Sequence, residues 1–123
     1  MKYLLMFYGN EQAIQAQSKE AVEQVIAAYG AYGEALKKAG VILGSNRLRP
    51  TNSASTVRVA DGKTQVLDGP YAETKDQLLG FYVVDCNDLD AALDVARDLA
   101  AANPGGAYEI RPVGMLNPGS MKT

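Results

Sequence analysis

The stretch "DGPYAETKDQLLGFYVVD", residues 68–85, holds the two signals on which the fold turns. Its first part reverses the chain: Asp68 and Gly69 break a strand and Pro70 fixes the exit angle. Its last part, "LLGFYVV" (78–84), is apolar at successive positions, so the strand it forms is apolar on both faces. The segment "KYLLMFY" (2–8) has the same character. Two such strands need cover on both sides, because an apolar face left in water costs free energy.

Working outward from these strands gives the order of elements. "GNEQAIQAQ" (9–17) reads as a loop. Ser18 is placed to cap a helix, with Glu20 in its first turn. Val22, Val25, Ile26, Tyr29, Tyr32 and Leu36 then recur at steps of three and four, and Tyr29 and Tyr32 are expected in the core. Lys37, Lys38 and Gly40 suit the helix end. "VILGSNRL" (41–48) is a second strand. "STVRVADGKTQVLDG" (55–69) reads as a hairpin turning at Asp61-Gly62. After the strand at 78–84, Asn87 or Asp88 caps a second helix with a stripe of Leu89, Ala92, Leu93, Ala96 and Leu99. Asn103-Pro104-Gly105-Gly106 stops it, "AYEIRPV" (107–113) is the last strand, and residues 115–123 form a tail.

This order, two strand-helix-strand units separated by a hairpin, predicts an α+β fold of ferredoxin-like type over residues 1–114. Both helices lie on one face of an antiparallel sheet. The other face then requires a partner, and the simplest is a second copy, giving a homodimer related by a two-fold axis.

Composition narrows the chemistry. The chain of 123 residues fits one domain, and at 47% apolar residues it is expected to fold. A net charge of −2 gives no basic excess for direct nucleic acid binding. No apolar run reaches membrane-spanning length, and the six apolar residues after Lys2 are too few for a signal peptide. A single cysteine, Cys86, fits a reducing cytoplasm and is read as structural. Histidine is absent, which removes imidazole bases, triads and His-ligated zinc. No metal site or cofactor is expected; "GNEQA" and "NPGG" lack the spacing of phosphate loops.

The motif "DGPYAETKD" closely resembles the hallmark D-G-P-F-A-E-T-K-E of the bacterial YCII-related proteins of the DGPF group, with Tyr71 for Phe and Asp76 for Glu. "MKYLLMFYG", "AYGAYGEALKKAGVILGSNRLRP", "TVRVADGKTQVLDGP" and "YEIRPV" are also similar to that group, so the resemblance spans nearly the whole chain. It implies a dimeric ferredoxin-like α+β barrel. It also implies a neighbourhood of extracytoplasmic-function sigma factors, beside which members are often encoded, and it brings no assigned activity. Some shorter relatives are thought to be enzymes using a His-Asp pair; of that pair only Asp68 has a counterpart here.

Two readings of the motif follow. Asp68 either accepts a substrate proton or holds backbone N–H groups in an Asx-turn. Tyr71, Glu73, Thr74 and Lys75 either form a solvated loop or, with Asp68, the polar wall of a ligand pocket. Arg47 and Arg49 share a strand face, and Arg49 is a candidate ligand residue. With Arg58 and Arg111 they form either an anion-binding surface or ordinary solubilising charge paired with Glu109 or Glu73. The expectation is a small-molecule binding module linked to transcription through a partner. The alternative is a small lyase or isomerase with Asp68 as acid or base; a third class is a purely structural dimer.

Overall fold

In the computed structural model, which describes residues 1–102 and 105–114, the chain runs β1 (Lys2–Gly9), α1 (Glu11–Gln15), α2 (Lys19–Lys38), β2 (Ile42–Arg47), β3 (Ser55–Ala60), β4 (Lys63–Asp68), β5 (Gln77–Asp85), α3 (Leu89–Ala102) and β6 (Ala107–Pro112). The two strands apolar on both faces lie side by side. β1 and β5 pair antiparallel at the centre of a four-stranded sheet of order β2-β5-β1-β6. Every neighbouring pair is antiparallel. With two crossover helices this is the ferredoxin-like α+β arrangement. The tail at 115–123, and Asn103 and Pro104 of the expected helix stop, lie outside the described residues.

Alternation decides what each face carries. Tyr3 and Leu5 of β1 are buried beneath the helices, together with Val84 of β5 and Ala92, Val95, Ala96 and Leu99 of α3. Leu5, Val84 and Leu99 are fully buried, and Ile110 packs against this cluster. The intervening residues point the other way. There Met6 faces Phe81 and Leu4 faces Val83 across the strands, with Glu109 and Arg111 on the β6 side forming an ion pair. This second face is half-buried, and both helices lie on the opposite side of the sheet.

Three sequence expectations change, and the choice of cap for the second long helix is settled. Residues 11–15 form the short helix α1 rather than loop, because the Asn10 side chain accepts a hydrogen bond from Ala13 N at 2.9 Å and caps it. In α3 the buried stripe is Ala92, Val95, Ala96 and Leu99; Leu89 is exposed and Leu93 only half-buried. Asp88 is the residue whose carboxylate caps this helix, accepting from Ala91 N at 2.9 Å. In α2 only Leu36 is fully part of the core; Tyr29 and Tyr32 pack against it half-buried, and Ile26 is 52% exposed.

The helix α2 begins where expected, with Ser18 Oγ accepting from Ala21 N at 3.1 Å. The C-terminal half is tied down by two phenols. Tyr29 and Tyr108 hydroxyls lie 2.9 Å apart, and Tyr32 donates to Asp98 of α3 at 3.1 Å. Phe7 stacks on Tyr108 with ring centroids 4.9 Å apart. The hairpin β3–β4 stands apart as its own two-stranded sheet, turning at Asp61-Gly62 with positive φ at both residues. Its Val57, Val59 and Val66 share one face and are each more than 60% exposed.

Two outcomes follow for stability. Leu5→Ala is expected to cost about 2–5 kcal/mol in urea unfolding, whereas Ile26→Ala stays within about 0.5 kcal/mol. The second concerns alkaline pH. Burial, then the Asp98 hydrogen bond, pushes the Tyr32 phenol up to about 12. Burial and the Tyr29 contact raise Tyr108, and burial raises Tyr82. Unfolded tyrosine loses its proton near pH ~10. The folded state thus holds phenolic protons that the unfolded chain releases. Stability from these groups is full below pH ~10 and falls as pH rises from there through about 12. Unfolding midpoints measured across this window should fall for the wild type and fall less for Tyr108→Phe.

Candidate functional site

α2 is anchored through Tyr29, Tyr32 and Leu36, while the face that runs along it from Val22 to Lys37 stands over open space. The space beneath it is an open cleft of about 910 Å³. Val22, Val25 and Ile26 of α2, read from the sequence as core, line this cleft instead. Its floor is aromatic: Phe7, Tyr82 and Tyr108 from the sheet and Tyr29 from the helix. Ile14 of α1 closes one end. Gly30 and Gly33 of α2 also border it, and a Cβ at either would meet nothing within 4 Å.

The rim is polar. Arg47 ends β2, opposite Gly80 of β5. A Cβ on Gly80 would stand 2.9 Å from the Asn46 carbonyl oxygen and 3.4 Å from Arg47 Cα. Only glycine lets the end of β2 lie this close, and that approach carries Arg47 and the following Arg49 to the cleft. Both arginines are exposed, and neither forms an ion pair among the described residues.

A second, polar pocket of about 410 Å³ adjoins through Glu11, which borders both. It is lined by Asn10, Glu11, Gln12, Thr51, Thr74, Lys75 and Gln77. Its walls are cross-stitched. The Glu11 carboxylate accepts from Thr51 N and from Thr51 Oγ1, each at 2.8 Å. Asn10 Nδ2 donates to the Lys75 carbonyl at 3.2 Å. Gln77 accepts from Glu11 N at 2.9 Å and donates to the Thr74 carbonyl at 2.6 Å.

The residues singled out by the sequence fall into three places. Thr74 and Lys75 border the polar pocket, and Arg49 borders the cleft. Asp68, Tyr71 and Glu73 are exposed and border neither; Tyr71 is 76% exposed. Asp68 pairs with Ser55 at the base of the hairpin. Beside it Gly69 takes φ +99°, donates to the Ala54 carbonyl at 2.7 Å and accepts from Thr56 Oγ1 at 2.9 Å. That positive φ favours glycine, so the Asp-Gly-Pro step closes the hairpin and redirects the chain. Arg58 lies exposed on the hairpin and Arg111 pairs with Glu109, so the four arginines do not share one surface. Cys86 is buried, and burial first, then Asp85, raises its thiol, which leaves it a poor nucleophile near neutral pH. Among the described residues no cluster of three acidic or thiol side chains forms a metal cage. No described helix is long and apolar enough to cross a membrane.

Sequence reasoning missed the aromatic floor and the two glycines. Gly30 and Gly33, each directly after a tyrosine in the repeat "YGAYG" (29–33), were the available signal, since glycine is costly inside a helix.

An uncharacterized protein of Rhizobium meliloti (strain 1021) is 47% identical over 122 residues, covering 98% of each chain. The model of the YCII-related domain matches residues 1–117. The chain belongs to the YCII-related family.

Proposed function

We propose that this protein is a small-molecule binding module of DGPF type, acting as a homodimer, with the cleft under α2 as its ligand site. One observation carries the reading. Gly30 and Gly33 sit inside a helix, where each costs about 0.5–1 kcal/mol relative to alanine. Neither admits a neighbouring backbone, since a Cβ would meet nothing within 4 Å. What they leave is room above an aromatic floor. A volume of about 910 Å³ is near the top of the range for small-molecule sites, roughly 300–1,000 Å³. Buried phenols in an apolar floor also supply oriented polar contacts.

Binding rather than chemistry fits the residues available. The cleft holds no histidine, and its phenols Tyr82 and Tyr108 keep their protons well above neutral pH. Asp68 stands at the hairpin base, outside the cleft. A role in sigma-factor-linked transcription would run through ligand occupancy and a protein partner, since the net charge of −2 favours no direct contact with nucleic acid.

The homodimer rests on the sheet face opposite the helices, where Leu4, Met6, Phe81 and Val83 form a contiguous apolar patch. Two copies related by a two-fold axis would cover each other. Sedimentation equilibrium at micromolar concentration should give twice the chain mass, and Met6→Glu should give a monomer; a wild-type monomer rules the dimer out.

The cleft is tested by filling it. Gly33→Phe is expected to keep or raise thermal stability while abolishing the fluorescence rise of Nile red, and Asp68→Asn should leave that rise unchanged. Full dye binding by a folded Gly33→Phe protein would place the ligand site elsewhere.

A further inference from the structure

We infer that the ligand of the cleft is an amphipathic anion: an apolar body on the aromatic floor and a carboxylate or phosphate head held by Arg47 and Arg49. This rests on the cleft being a ligand site and names the class of molecule it takes.

The charges around the cleft point that way. Arg47, Arg49 and Lys37 border it against the two carboxylates of Glu11 and Glu34, although the chain as a whole is acidic. Both oxygens of Glu11 already accept hydrogen bonds from Thr51. That carboxylate is therefore held toward Thr51 rather than left to neutralise an arginine. Elsewhere the arginines behave differently: Arg97 pairs with Asp94 at 2.8 Å, and Arg111 pairs with Glu109. Arg47 and Arg49 have no carboxylate partner among the described residues, yet the close approach at Gly80 brings their strand end to the mouth of the cleft.

Chemistry sets the head group. Guanidinium presents a planar fork of N–H donors that matches two oxygens of a carboxylate or phosphate. Two such groups, one residue apart in alternation, can grip one anion from neighbouring positions. The floor sets the body. Phe7, Tyr29, Tyr82 and Tyr108 offer ring faces and edges to an apolar or aromatic group, and the paired Tyr29 and Tyr108 hydroxyls add a polar point at 2.9 Å from each other. A neutral apolar molecule would use the floor and leave the rim idle. A small inorganic anion would use the rim and leave the floor in water. Only a molecule with both parts uses the whole site.

The test compares three probes of one shape, phenylbutyrate, phenylbutyl phosphate and phenylbutanol, by calorimetric titration of the full chain at low salt. Both anions should bind about 10-fold or more tighter than the alcohol, the ratio that charge-assisted hydrogen bonds give. In the Arg47→Gln/Arg49→Gln double variant that preference should vanish while alcohol binding persists. Arg58→Gln, which removes a cation on the distant hairpin, should change nothing. Thermal melts are the check that each variant is folded, and unchanged midpoints are expected for substitutions at these exposed positions. Equal binding of all three probes to the wild type overturns the anion inference and leaves the cleft as a site. Anion preference that survives in the double variant, or that falls equally in Arg58→Gln, also overturns it. Binding of none of the three, with no displacement of Nile red, overturns the cleft itself as the ligand site.

Discussion

Two central strands with apolar side chains on both faces, with two long helices among the described residues to cover them, are the constraint from which the rest follows. β1 and β5 present Tyr3, Leu5 and Val84 to one side and Leu4, Met6, Phe81 and Val83 to the other. Each crossover skips one strand, β1 to β2 over β5 and β5 to β6 over β1, and right-handed crossovers from these two antiparallel strands bring both helices to the same face. α3 completes that cover with small residues, Ala92 and Ala96, which let it sit close, and Leu99, which fills the middle. α2 completes it only at Leu36. The chain therefore keeps two unfilled apolar surfaces: the back of the sheet and the gap along α2 from Val22 to Lys37.

The gap persists because α2 is held at a distance by specific groups. The Tyr29–Tyr108 hydroxyl pair and the Tyr32–Asp98 hydrogen bond fix where the helix sits, and ring-sized side chains set how far from the sheet. A leucine in place of each tyrosine would allow the helix to settle closer and close the space. Aromatic spacers with polar tips resist that collapse, since their hydroxyls must stay paired when buried. Gly30 and Gly33 act in the same direction by placing no side chain in the gap.

Much of this was legible in the sequence. The unbroken apolar runs at 2–8 and 78–84 gave the central strands, Asp61-Gly62 gave the hairpin turn, and Ser18 gave the start of α2. Each depends on local chemistry. The misses depend on distance. Five residues are too few to show a helical period, so α1 was visible only through the cap Asn10. The stripe of Val22, Val25 and Ile26 shows which way α2 faces, but periodicity says nothing about how far away the sheet is. In α3, Val95 and Leu89 exchange roles because the stripe of a helix can turn by one position without changing its composition. The hallmark divided: its Asp-Gly-Pro step is legible as backbone geometry, whereas the places of Thr74 and Lys75 depend on contacts with Asn10 and, through Gln77, Glu11, some sixty residues away in sequence.

The two open surfaces share the strands β1 and β5. Phe7 of β1 lies at the floor of the cleft, and its neighbour Met6 lies on the back of the sheet against Phe81. A second copy set on the back face would leave the cleft facing outward, so each subunit would keep a whole site and need no residue from the other. Coupling between the two would have to pass through β1 and β5 themselves. Both strands are hydrogen-bonded on each side along their length, so they transmit small displacements poorly unless the register shifts. A register irregularity does occur, between Phe7 and Tyr8, where β1 passes from the stacked Phe7–Tyr108 pair to the end bordered by α1. There Leu79 of β5 is the extra residue, left without a partner on β1. The ladder around Leu5 is regular, whereas the bulge sits beside Gly80, where the end of β2 approaches and the cleft has its rim.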